Sequence, residues 1–210
     1  QGCFMDIKPT FIDGSKIGYT HPDGLIFNGG NEYRIFDTKN IRYPGQGVSD
    51  ITYKGTMFHA LINTDKSRRN QKYSSISDFN GYYAVNLEGS SQANIEADYL
   101  WTYFSLKTPM ELDEGNNVYL YGELTNWMLS PENKMVYNPI EGTYELSLLL
   151  KQGAYNYAYV VGNSSKNTVD FTHFEGSFFD TGNIYTILVY YKPMGARYER
   201  IIGLKQIGTL

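Results

Sequence analysis

Short runs in which aromatic rings recur at every second position constrain this chain more than anything else in it. Val118-Tyr119-Leu120-Tyr121 and Tyr155-Asn156-Tyr157-Ala158-Tyr159 are two of them. A period of two sends alternate side chains to opposite faces of a pleated strand, and aromatic or β-branched residues suit such a half-buried surface. No stretch longer than about two turns carries a helical period. The rings number 20 Tyr, 11 Phe and 2 Trp, against 3 His and 1 Cys in 210 residues. Such a chain is rich in material for surfaces and poor in reactive groups.

Turn signals separate the runs: Asp13-Gly14, Asp23-Gly24, Gly29-Gly30, Asn80-Gly81, Glu141-Gly142 and Gln152-Gly153. Glycine with Asn or Asp supplies the positive φ of tight hairpins. The intervals predict strands at Phe4 to Phe11, Ile17 to Phe27, Tyr33 to Asp37, Ile51 to Asn63, Tyr82 to Asn86 and Tyr99 to Lys107. Further on they predict Val118 to Gly122, Tyr144 to Leu150, Tyr155 to Val161, Tyr185 to Tyr191 and Tyr198 to Ile207. Thr143 to Leu148 reads as a strand with one wet face, with Tyr144, Leu146 and Leu148 pointing inward. Ile184 to Tyr191 is apolar on both faces and is expected to lie centrally or under a neighbouring domain. Met110 to Asn117, acidic and following Pro109, reads as a linker. The expected fold class is therefore all-β, with two β-sandwich domains in series, 1–110 and 111–210.

Charge and chemistry narrow the function. The formal net charge is −4 and no basic patch stands out, so nucleic acid is not an expected partner. Lys66, Arg68, Arg69 and Lys72 read as a solvated loop. The longest apolar stretches fall far short of the roughly 18 residues that cross a bilayer. Gln1-Gly2-Cys3 does not open a signal peptide, and Cys3 reads as a small buried residue on a first strand. His21, His59 and His173 lie in separate segments. His173 and Glu175 read as a surface pair on one strand face, short of the ligands a metal needs. Glu111, Asp113 and Glu114 fit no calcium-loop spacing. The chain is expected to be non-enzymatic, with no catalytic residue, no metal and no cofactor.

Two stretches resemble known families. Tyr119-Leu120-Tyr121-Gly122-Glu123-Leu124-Thr125-Asn126-Trp127, continuing to Leu150-Lys151-Gln152-Gly153-Ala154-Tyr155-Asn156-Tyr157, resembles the glycogen-binding type of early-set immunoglobulin-like module. That resemblance implies an early-set immunoglobulin-like fold for the second domain. It also implies a glycan platform at Trp127, with Asn126 and Tyr121 beside it. Ala158 stands where those modules carry a lysine, and no second Trp follows between Gly162 and Glu175. The structural alternative for Trp127 is a cap on the end of the sandwich.

The wider resemblance begins at Gly30-Asn31-Glu32-Tyr33-Arg34-Ile35-Phe36-Asp37 and Ile41-Arg42-Tyr43-Pro44. It runs through Asp78-Phe79-Asn80-Gly81 and ends on Tyr185 to Tyr191 and Gly195 to Gly203. This pattern is similar to the type IX secretion system plug proteins of Bacteroidetes, whose members are about twice as long. The resemblance implies a periplasmic protein near the inner face of the outer membrane, functioning in protein transport. Its partner there would be a translocon β-barrel whose pore it closes. Arg34 and Arg42 fall in the first of these motifs. They are expected to pair internally, with Glu32 and Asp37 as the nearest carboxylates, or to reach the partner.

Overall fold

The computed structural model of the protein describes residues 5, 7–20, 25–163 and 168–209. Cys3, His21 and the expected strand start at Phe4 lie outside them. The first half carries β1 (Phe11–Asp13), β2 (Lys16–Gly18), β3 (Arg34–Asp37), β4 (Val48–Lys54), β5 (Met57–Ile62), β6 (Asp65–Lys66), β7 (Tyr83–Val85) and β8 (Tyr99–Lys107). The second half carries β9 (Asn117–Tyr121), β10 (Val136–Asn138), β11 (Thr143–Lys151), β12 (Gly153–Asn163), β13 (Thr168–Asp170), β14 (Ile184–Tyr191) and β15 (Arg200–Gly208). The α-helices are single short turns, α1 (Ala93–Glu96) and α2 (Thr172–Glu175). Among the described residues no helix is long and apolar enough to cross a membrane.

The fold is an all-β sandwich. One sheet runs in the order β10, β11, β8, β5, β4, with β6 continuing the β5 edge of β8. β5 and β8 are parallel, and β8 and β11 are antiparallel along their whole length. The second sheet is built on β12, which pairs with β3 and β7 near its start and with β9 and β13 near its end. Between the sheets, Phe36, Leu100, Phe104, Leu120, Tyr157 and Tyr159 are almost wholly buried in one cluster. The Phe36 and Phe104 rings meet across the two sheets, with centroids 5.5 Å apart.

This topology corrects the expected division at 110/111. Both sheets combine strands of residues 1–110 with strands of 111–210, β11 pairing with β8 in one and β12 with β3 and β7 in the other, so neither half owns a core. The physical reason is that strand periodicity specifies faces, not neighbours. The supposed linker is a crossing between the sheets: Leu112 packs on the core, and its N–H donates to the Tyr144 hydroxyl at 2.7 Å.

Gln152-Gly153 is corrected as well. The Asp13-Gly14 turn does close a hairpin, β1 onto β2. In contrast, β11 and β12 belong to different sheets, and Gln152 carries the chain from one to the other. The buried Gln152 side chain accepts from the Asp98 N–H and donates to the Thr38 and Lys39 carbonyls. Gly153 is required there for close approach, since a Cβ would stand 2.3 Å from the Ala84 carbonyl oxygen.

Among the described residues β14 and β15 pair only with each other, and most of their apolar side chains are exposed. Ile184 to Tyr191 therefore does not lie centrally in a sheet.

Gly153→Ala is expected to lower stability by about 1–3 kcal/mol, the usual cost of overpacking. A drop in the urea midpoint at unchanged slope would show it; an unchanged midpoint would mean that β7 yields without cost.

Candidate functional site

Trp127 follows a turn that few sequences adopt. After Tyr121 the chain makes one 3-10 turn, Glu123–Thr125, and then places Asn126 and Trp127 at φ 53° and 56°. Two consecutive non-glycine residues in the left-handed region are strained, and a bulky one is uncommon there. Backbone bonds hold the turn: Trp127 N–H to the Gly122 carbonyl at 3.0 Å, and Glu123 N–H to the Gly81 carbonyl at 2.9 Å. The ring is thereby laid against Gly81, where a Cβ would come within 2.2 Å of it.

Tyr33, Tyr82 and Tyr121 meet the Trp127 ring in edge contacts at 72–81°. Tyr121 is buried, and burial raises its pKa; Asn126 is exposed. With Leu129 and Phe171, Trp127 covers Tyr119, Tyr121 and Val160. The structure thus brings Trp127 and Tyr121 together, and it places Trp127 over the outer face of the second sheet. Much of the ring is committed to internal packing.

Arg34 is held inside the molecule. Its Nε donates to Glu175 Oε1 at 2.9 Å, its Nη1 to Asp65 Oδ1 at 2.7 Å, and its Nη2 to the Lys66 carbonyl at 2.8 Å. Arg68 takes the other Glu175 oxygen at 2.7 Å, and the Tyr157 and Tyr159 hydroxyls both donate to Asp65 Oδ2 at 2.8 Å. Burial opposes the charge on Arg34, but Glu175 and Asp65 outweigh it and raise its pKa. Burial first, then Asp65 and the neighbouring ionisable groups, raise both tyrosine pKa values well above the usual range.

The expected partners of Arg34 are corrected. Asp37 pairs instead with Lys39, and Glu32 accepts from the Tyr73 hydroxyl. Arg68, expected in a solvated loop, is part of the buried network. His173 and Glu175 lie on α2 rather than on a strand. Glu175 is fully buried, whereas His173 borders a shallow depression of about 240 Å³ beside Asp113 and Asp170. No group of three metal-ligating side chains occurs among the described residues.

Arg42 is exposed, and its guanidinium has no ion-pair or hydrogen-bond partner among the described residues. The internal expectation therefore holds for Arg34 in kind, with different partners, and fails for Arg42.

A third feature was not singled out from the sequence. β8 is the central strand of its sheet, and its outward residues Tyr99, Trp101 and Tyr103 form a row on the open face. Trp101 retains 36% exposure despite flanking strands on both sides. Register places Leu149 of β11 and His59 of β5 beside Trp101, and Ser147 and Leu61 beside Tyr103. His59 Nδ1 lies 2.9 Å from the Tyr103 hydroxyl with the two rings stacked, and Lys151 Nζ sits 5.4 Å from the Tyr99 ring centre. Register puts Asp50 beside Leu61, Glu145 beside Ser105 and Lys151 beside Tyr99, with Lys107 at the end of β8, so charged residues border this apolar centre. The signal was present as rings at every second position of β8, opposite Leu100, Phe104 and Leu106.

No protein-family model matches the chain, and no curated protein matches it. A crystal structure of a hypothetical protein from Parabacteroides merdae is similar, with a TM-score of 0.88 and 35% identity. The match covers 97% of this chain and 51% of that one. The chain thus spans about half the length of the solved protein. Coverage this high takes in most of the β14–β15 ribbon together with the sandwich.

Arg34→Ala leaves Glu175 and Asp65 short of their partner and is expected to cost about 3–5 kcal/mol. Arg42→Ala is expected to stay within about 0.5 kcal/mol, as exposed substitutions do. Thermal and urea unfolding of the two variants decide between these roles; equal losses would contradict the assignment.

Proposed function

We propose that this chain is a non-enzymatic docking body that seats on another protein through the outer face of its six-stranded sheet. The carrying observation is the row Tyr99, Trp101 and Tyr103. Protein interfaces combine an apolar, aromatic centre with a polar rim, and Trp and Tyr dominate their hot spots. Rings on a central strand are also held rigid, which lowers the entropic cost of binding. The charged network around Glu175 supports a scaffold role, because its bonding groups are taken up within the fold.

The specific setting follows from the resemblance to type IX plug proteins. In this reading the chain is periplasmic, lies under the outer membrane and closes a translocon β-barrel. Arg42, exposed and unpaired among the described residues, is available to the same partner. The glycan reading at Trp127, Asn126 and Tyr121 draws less support, since a stacking platform needs an open ring face and this ring is packed among three tyrosines.

The test is a pull-down from outer-membrane extract with the native chain and with Trp101→Thr, which keeps a β-branched residue on the strand. The native chain is expected to retain a very large β-barrel. The variant is expected to bind roughly thirtyfold more weakly, the loss of an anchor worth about 2 kcal/mol, without a lower melting temperature. Equal capture by both proteins, or retardation by α-glucan gels that disappears in Trp127→Ala, would overturn the reading.

A further inference from the structure

The β14–β15 ribbon is apolar on both faces and belongs to neither sheet of the sandwich. Its register puts Leu188 opposite Leu204 and Tyr190 opposite Ile201, with Thr186 and Gln206 bonded nearer its base. Leu188, Tyr190, Ile201 and Leu204 are 42%, 54%, 55% and 65% exposed. Among the described residues each strand has a single neighbour, so its outer edge presents backbone groups with no strand paired to them. An isolated two-stranded ribbon is at best marginally stable in water, and unguarded apolar edges invite pairing. Only Arg200 and Lys205 bring charge to these two strands.

The base of the ribbon is nevertheless fixed. The Asn183 side-chain amide donates to the Gly29 carbonyl at 2.9 Å, and the Thr181 hydroxyl donates to the Gly30 carbonyl at 2.9 Å. The Phe27 and Tyr185 rings meet with centroids 5.5 Å apart. Ile26, next to Phe27 in the chain, is 73% exposed. The ribbon therefore projects from a defined anchor and presents a defined face.

We infer that this face, with Leu188, Tyr190, Ile201 and Leu204 at its centre, is the seat of a further β-structured segment of the same polypeptide. That segment corresponds to the half of the Parabacteroides protein outside the match. A similar protein carries this fold, most of the ribbon included, within a chain twice as long. A covering sheet supplies both an apolar face and strand edges for the N–H and C=O groups on the ribbon's outer edges. The inference is independent of the docking face on β8.

Amide hydrogen exchange tests it on two proteins, this chain and the polypeptide translated from the whole reading frame. Ribbon amides are expected to exchange at least roughly a hundredfold more slowly in the longer polypeptide, since paired and covered strands open less often. In that polypeptide Leu188→p-benzoylphenylalanine, at an exposed position, should crosslink on irradiation to a peptide outside these 210 residues. Equal exchange in the two proteins, no crosslink, or a crosslink to a second copy or another protein would overturn the inference. The same probe introduced as Trp101→p-benzoylphenylalanine reports on the partner face alone, so the two proposals fail separately.

Discussion

Glu175 reaches the interior with no solvent exposure, and Arg34 and Arg68 meet its two oxygens there. Taking such charges out of water costs several kcal/mol each, and only complete pairing offsets it. The carboxylate also accepts the Tyr159 N–H at 2.9 Å, on the edge of β12 between its partners β3 and β13. One side chain thus completes a sheet and pairs with two cations, Asp65 supplying the second negative charge beside Arg34. Because its partners stand 141 and 107 residues away, the network closes only when distant parts of the chain have met.

The abundance of tyrosine follows from the same arrangement. Tyr155, Tyr157 and Tyr159 line the inward face of β12 as hydrophobic bodies, and each hydroxyl still finds an acceptor. Tyr155 donates to the Lys151 carbonyl, and the other two donate to Asp65. A tyrosine buries as much apolar surface as a phenylalanine while tying down a neighbouring segment. Here the tied segments are the Asp65 strand and the crossing at Lys151, so the core rings also fix the loops around them. Tyr99 and Tyr103 have no such interior task and remain on the surface of β8.

Strand positions were legible wherever alternation was strong. β8 was anticipated residue for residue, and β11, β12 and β14 to within two residues at each end. Which sheet a strand joins was not legible. Gln152-Gly153 has the composition of a hairpin, yet it crosses between sheets, a choice made by Ala84 and Thr38 far away in sequence. The division into two domains failed for the same reason. Arg34 was recognised as important, but its partners lie beyond any local window. Asn126 is a residue type that tolerates a positive φ, but nothing local signalled that the bulky Trp127 would follow it into the left-handed region.

The placement of β12 has a temporal consequence. β3 and β7 border this strand on opposite edges, although they are made well before it. As the polypeptide leaves the ribosome, both wait without the neighbour that satisfies their backbones. Until residues 153–163 have emerged, the strands made before them have no finished sheet to join, and a nascent chain stopped at that stage is the form most in need of a chaperone.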